Sequence, residues 1–450
     1  MENGPVTDVA VPSSRTPAQA GDRSRTTWAG WTLLGLMAFA LSAWPTVRTF
    51  LVDYSDEIWQ VDLEVYREAS RSVLLGRPVY GWLTDNPQFL PFTYPPFSAL
   101  AGLPLALVPF RVAGWAWTLL QLALLWVCAY AAFRPFVRRA GHRSGLVLGL
   151  VAAALAWTQP VMDGIRFGQV NALIVTLCLV DVVLLREAGR TAGEGRTPEE
   201  GRGPEEGRGP RSRVSQWLSN CPQGVLVGLA AAIKLTPAVF WIHWAVARRW
   251  KPLATSVITA AGTTLATAFV LPSATAAFWT DAVLDPERLG PNNTTSNQSL
   301  RGALMRIVPE GTALSIGWAV VALLVAWAGF GLSARLQQRG ETVAVVAVVG
   351  VLAVLLSPVS WIHHLHWGIV AVGALLADGR DRRRVVAALA ALAVLCSKLP
   401  WWGGDMVRNS EGPLWFAKFL EDSYTLLGLL TLLGLWWFAG RVRTVEAVRA

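Results

Sequence analysis

The sequence predicts an all-α protein that crosses a membrane many times, and three observations predict it. Of the 450 residues, 53% are hydrophobic and only 15% charged, where a soluble chain carries about 25% charged residues to cover its surface. Apolar runs close to the ~20 residues that span a bilayer recur from Trp28 to Gly440. Arginines gather in the short loops and tails between those runs, as in cytoplasmic loops.

Taken in order, Met1–Thr27 is polar and rich in Pro, Ser and Arg, and reads as a disordered cytoplasmic tail. It lacks the compact layout and cleavage site of a signal peptide, so Trp28–Phe50 reads as a retained first span. The membrane domain is expected over 28–440. Within it, Gly195–Pro210 nearly repeats Gly-Arg-Gly-Pro-Glu-Glu. Such a segment buries nothing, so 187–214 is expected to be a disordered insertion, and its arginines make it cytoplasmic. The clusters Arg248-Arg249, Arg335 with Arg339, Arg380 with Arg382–Arg384, and Arg441 with Arg443 in the tail 441–450 are placed inside. Loops 51–92, 272–311 and 401–419, and the segment 357–364, then fall outside. The alternation leaves an odd number of crossings between Asp62 and Gln169. Either 93–110, with four prolines, or the short 145–158 is expected not to span fully.

Several polar residues resist a packing explanation. Asp62 and Glu64, in Val61-Asp62-Leu63-Glu64-Val65-Tyr66, follow the first span, and a carboxylate at a membrane interface is costly without partners. In a helix the two point to different faces, so one can enter a cavity while the other meets water or headgroups. Lys234-Leu235-Thr236-Pro237 interrupts an apolar stretch, and Pro237 cannot donate to a helix ladder. Two short helices with Lys234 at their junction are expected, a broken-helix device that presents polar groups to a cavity. Lys234 either snorkels to an interface or holds a phosphate as a point charge. His363 and His364, with His366, lack the further ligands a metal needs, so hydrogen bonding to a phosphate or sugar fits better. Asn297-Gln298-Ser299-Leu300-Arg301 reads either as an ordinary loop or as a hydroxyl-binding segment. The arginine pattern alone puts Asp62, Tyr94, Arg166, Gln169, Asn171, Lys234, Asn297, Gln298, His363 and His364 on one side of the membrane.

Other classes are excluded. The net charge of +9 lies in interspan loops, without a basic patch interleaved with aromatics, so nucleic acid is not expected as a partner. The scattered Cys128, Cys178, Cys221 and Cys396 show no metal or disulfide spacing and read as free thiols. Trp241, Trp244, Trp250, Trp401 and Trp402 read as interfacial anchors. There is no Walker loop, dinucleotide fingerprint or Ser/His/Asp signature. An outward site with a base and phosphate-friendly cations points to a lipid-phosphate donor.

Six segments, in order, resemble glycosyltransferase family 87, membrane mannosyltransferases of actinobacteria with the GT-C architecture. They are Val61–Tyr66, Leu90–Phe97 (Leu-Pro-Phe-Thr-Tyr-Pro-Pro-Phe), Gly168-Gln169-Val170-Asn171, Lys234–Pro237, Asn297–Gly302 and Leu356–His364. The resemblance covers roughly residues 30 to 440. It implies a GT-C fold with about 11–13 membrane segments and an inverting transfer of mannose from polyprenyl-phosphate-mannose to a mannosylated lipid or glycan acceptor. The implied product is α-1,2-linked, formed on the extracytoplasmic face of a bacterial plasma membrane among its lipids. By the same resemblance Asp62 is the general base. Lys234, His363, His364 and Arg166 are expected at the donor phosphate. Glu64, Tyr66, Tyr94, Gln169, Asn171, Asn297, Gln298 and Arg301 are expected at the sugar and acceptor. No metal or cofactor is required, because side-chain cations neutralise one phosphate. Transfer of another lipid-linked sugar such as arabinose, or carriage of the lipid itself, are the alternatives.

Overall fold

The computed structural model describes residues 17–54, 59–84, 89–186, 220–285, 288, 290 and 292–449, with side chains described from 28 to 440. The insertion expected at 187–214 and residues 1–16 lie outside the described residues. The first helix begins at Pro17, inside the segment read as a disordered tail, and the last helix continues to Arg449. Once a span is nucleated, each further turn adds hydrogen bonds at little cost, so helix runs on into polar sequence.

The described residues are almost entirely helical; their sole β-feature is an isolated bridge between Leu83 and Pro91. Five helices are long and apolar enough to cross a membrane: Trp28–Val52, Phe110–Ala132, Trp250–Val270, Thr312–Gln338 and Ser423–Gly440. If each of two bent pairs is one span the number is seven, and Asn171–Leu185, Thr342–Leu356 and Ile362–Leu376 are shorter apolar helices.

The helices that position the site come early. After α1 (Pro17–Val47) and a wider turn over Arg48–Val52, the amphipathic α2 (Val61–Leu74) precedes two short helices, α3 (Pro96–Ala101) and α4 (Leu103–Ala106). α5 (Phe110–Ala132) crosses, and α6 (Arg134–Arg138) turns the chain. α7 (Ser144–Leu155) then meets α8 (Gln159–Phe167) at a 74° bend, before α9 (Asn171–Leu179). Both candidates for the incomplete crossing are therefore short. Pro96 and Pro104 each stand in the first turn of a new helix, so 93–110 is broken twice. At 12 residues α7 is about 18 Å long.

α7 packs along α1 through Gly145 and Gly149. A Cβ on Gly149 would lie 2.2 Å from the Gly35 carbonyl oxygen, so the two backbones touch directly. Without a hydrophobic driving force between spans, close approach at small residues is what joins them. Thr342–Leu356 and Trp367–Leu376 are buried almost all round and form the centre of the bundle. Trp244 is buried against Phe240, a core residue rather than the interfacial anchor expected, whereas Trp250 and Trp402 are exposed.

The expected break at Lys234 is present. Helix Val225–Ile233 stops at Lys234, which is extended (φ −148°, ψ 130°), and Thr236–Ala238 turns the chain into helix Val239–Val246. The start of the first half is held from a neighbouring span. The Asp181 carboxylate accepts from the Gly224 and Val227 N–H groups at 2.7 and 3.0 Å, satisfying orphan donors of a buried helix end.

Candidate active site

The site forms where α2, the α8–α9 turn, the Lys234 break and the 361–366 turn converge. Gln60 enters α2 in a left-handed conformation, its side chain donating to Thr118 and to the Ile165 carbonyl. That anchors the first turn of α2, which carries Asp62. Facing it, α8 ends at Gly168 (φ 70°), where a Cβ would lie 2.6 Å from Leu63 Cβ. Only glycine combines that φ with that proximity, and the result puts Gln169 on the carboxylate.

Gln169 Nε2 donates to Asp62 Oδ2 at 2.6 Å. Its Oε1 lies 3.0 Å from Tyr66 Oη and accepts from Asn171 Nδ2 at 3.2 Å. Tyr66 Oη is 3.0 Å from Tyr94 Oη, the two rings meeting edge to face. Lys234 Nζ donates to Asn171 Oδ1 at 3.2 Å, stands 3.0 Å from His364 Nε2, and lies 5.3 Å from the Tyr94 ring centre. A continuous polar chain thus runs from Asp62 through Gln169 and Asn171 to Lys234 and His364. Burial pushes the Asp62 carboxyl up to about 6, with the Gln169 hydrogen bond and the Lys234 charge pulling the other way. Burial raises the Tyr66 and Tyr94 hydroxyls well above their ordinary value, so both are neutral hydrogen-bonding groups.

His364 Nδ1 accepts from the Trp361 N–H at 3.2 Å, which assigns the ring proton to Nε2. In that tautomer Nε2–H and the Lys234 ammonium are two donors aimed at one another. At 3.0 Å they leave no room for an atom between them, but an anionic oxygen seated to one side, within reach of both, accepts from both. His363 packs edge-on against His364, with ring centres 4.8 Å apart, and against Phe167 at 5.8 Å. Arg166 lies over the Phe167 ring at 4.8 Å. His363 Nε2 and Arg166 Nε are buried without a hydrogen-bond partner among the described residues. Among those residues no three His, Cys, Asp or Glu side chains gather as metal ligands.

Four expected site residues are placed elsewhere. Asn297 and Gln298 are fully buried, and their amides serve backbone. Asn297 donates to the Asn292 and Pro358 carbonyls and accepts from Ser299 and Ser360; Gln298 donates to the Thr295 and Glu421 carbonyls and accepts from Thr425. They staple loops together instead of presenting polar atoms to a sugar. Glu64 lies on the α2 face away from Asp62, as a spacing of two residues requires. Arg301 stands over the Trp318 ring at 5.9 Å. Gln60, which sets the start of α2, was not anticipated; its only sequence signal is a polar residue directly before the Val61–Tyr66 segment.

Residues 92–358 match glycosyltransferase family 87. Among curated relatives, the chain is 30% identical to the polyprenol-phosphate-mannose-dependent α-(1-2)-phosphatidylinositol pentamannoside mannosyltransferase of Mycobacterium tuberculosis, over 96% of this chain and 93% of the relative. It is 29% identical to the α-(1-2)-phosphatidylinositol mannoside mannosyltransferase of Mycobacterium tuberculosis strain H37Rv, which uses the same donor by name, over 89% of both chains. It is 32% identical to a pentamannoside mannosyltransferase of Mycolicibacterium smegmatis, over 74% of this chain and 72% of the relative. No solved structure matches significantly. With the match spanning more than half the chain, the protein belongs to glycosyltransferase family 87.

Proposed function

We propose that this protein transfers mannose from polyprenyl-phosphate-mannose to a phosphatidylinositol mannoside, forming an α-1,2 linkage on the extracytoplasmic side of the plasma membrane. The observation that carries the reading is the polar chain linking Asp62, at one end, to the Lys234–His364 donor pair at the other. The curated relatives, named for this donor and this class of acceptor, support it. The outward side rests on the arginine pattern.

The reaction follows from those two ends. Asp62 takes the proton of an acceptor mannose hydroxyl while that oxygen attacks the anomeric carbon from the face opposite the phosphate. The bond from that carbon to the phosphate oxygen breaks, and polyprenyl phosphate leaves with the electron pair. A phosphate leaves without protonation if its charge is met; in this reading Lys234 and His364 meet it, with His363 packed on His364 and Arg166 adding positive charge from across the Phe167 ring. Gln169 holds the carboxylate on the acceptor side, and Tyr66, Tyr94 and Asn171 line the path between the two centres. A base pushed up to about 6 is ionised at neutral pH yet more basic than a free carboxylate, which suits general-base work.

Purified protein given radiolabelled polyprenyl-phosphate-mannose and a panel of phosphatidylinositol mannosides is expected to yield labelled α-mannosyl product. Asp62→Asn is expected to lower the rate by about 10²–10⁴, with detergent-solubilised folding and donor binding retained. Undiminished transfer by Asp62→Asn removes the aspartate as base. Failure of the parent to bind the donor at all removes the sugar assignment.

A further inference from the structure

On the face of α2 turned away from Asp62 lies a groove of about 600 Å³. Glu64, Glu68 and Arg71 supply its α2 wall, one stripe spaced as i, i+4 and i+7, roughly half a turn round the helix from Asp62. Arg77, Trp82 and Phe110 are among its other lining residues. Its polar groups are organised. Glu68 accepts from Arg67 at 3.1 Å and from Arg71 at 3.0 Å. Arg67 is locked further by donating to the Leu105 and Val108 carbonyls, which fixes this wall to α4. Trp82 Nε1 is buried without a hydrogen-bond partner among the described residues. Arg77 is exposed on the groove.

Two features point to an amphiphile with a sugar and phosphate head. Carboxylates and an indole N–H bind hydroxyls, aromatic rings cover the apolar faces of sugars, and a guanidinium takes a phosphodiester bidentately. Leu83 lines the groove, and near it in sequence Leu74 and Leu75 at the end of α2 and Phe89 are, like Leu83, each at least half exposed. Such side chains suit acyl chains or the membrane surface.

We propose that this groove holds the phosphoinositol end of the acceptor while its terminal mannose reaches round α2 to Asp62. The proposal rests on the functional reading above and assigns the acceptor a second, remote site. A helix with its side chains is about 10–12 Å across, a reach suited to several linked sugars between the anchored end and the reacting hydroxyl. Binding energy collected there positions the reacting end, as remote substrate contacts do in other enzymes. Acceptors with too few sugars cannot fill the groove and reach Asp62 together, so the groove also acts as a measure of chain length.

The test compares two acceptors that share the reacting mannose: a phosphatidylinositol mannoside and an alkyl α-mannoside without phosphate or inositol. For Arg77→Ala, the ratio of kcat/KM for the glycophospholipid over the alkyl mannoside is expected to fall about tenfold, the order of one charge-assisted hydrogen bond. The loss should lie in KM for the glycophospholipid. Trp82→Phe, which keeps the ring and removes the N–H, should lower the same ratio less. Unchanged ratios in both variants, or equal losses toward both acceptors, overturn the groove while leaving the transfer reaction intact. A parent protein that transfers to neither acceptor overturns the reaction and the groove with it.

Discussion

Asp62 couples two features that set a pH profile. Its carboxyl is pushed up to about 6 by burial, against the Gln169 hydrogen bond and the Lys234 charge. In the proposed mechanism the ionised form is the base, so kcat/KM is expected to rise tenfold per pH unit below about 6 and to level off above it, read from a pH–rate series on labelled-mannose transfer. The sign for stability is opposite. A carboxyl raised on folding is stabilising in its protonated form, so this group's contribution is present in acid and is lost as pH climbs from its unfolded value of 3.8 to about 6. Gln169→Leu removes the 2.6 Å hydrogen bond that holds the carboxylate. The acid limb should then move above 6 and the plateau should drop about tenfold, the order of one charge-assisted bond. An unmoved limb would show that Gln169 does not touch the ionised base. Asp62 and Lys234 were legible in the sequence because charge in apolar surroundings is costly and so conspicuous. Asn297 and Gln298 were misread because an amide in a loop looks the same whether it meets a sugar or a backbone carbonyl. Their partners lie up to 127 residues away.

Helix breaks place these side chains. Pro237 removes a ladder bond, and the extended Lys234 directs its ammonium across to Asn171 at the first turn of α9. Such a break is readable in advance, since proline limits the backbone by itself. The staple between the Asn292–Ser299 loop and the start of the last span is not readable, and it carries its own prediction. Gln298→Leu leaves the Thr425 N–H and the Thr295 and Glu421 carbonyls buried without their partner. It should cost about 2–3 kcal/mol, seen as a lower midpoint of thermal unfolding in detergent, with KM for the donor little changed. A variant as stable as the parent but defective in sugar binding would return Gln298 to the substrate. Between α1 and α7, Gly149→Leu forces side-chain atoms into the Gly35 backbone. Overpacking of this kind costs about 1–3 kcal/mol, and an unchanged thermal midpoint would mean that the two helices separate freely.

The bundle as a whole sets which face the chemistry uses. The arginine alternation puts 272–311 outside and Arg380 inside, so a cysteine at Asn293 should react with a membrane-impermeant maleimide in intact cells. One at Arg380 should react only after permeabilisation. The reverse pattern would turn the active site toward the cytoplasm. Composition, apolar run length and charge bias were enough to establish a helical membrane protein, its broken helix at Lys234 and the polar residues worth watching, because each follows from local solvation or from a single backbone constraint. Three-dimensional packing alone assigned Gln169 to Asp62, paired Lys234 with His364, turned Asn297 and Gln298 into staples and opened a groove behind α2. Those outcomes depend on the rotation and approach of helices distant in sequence, which hydropathy and charge leave free.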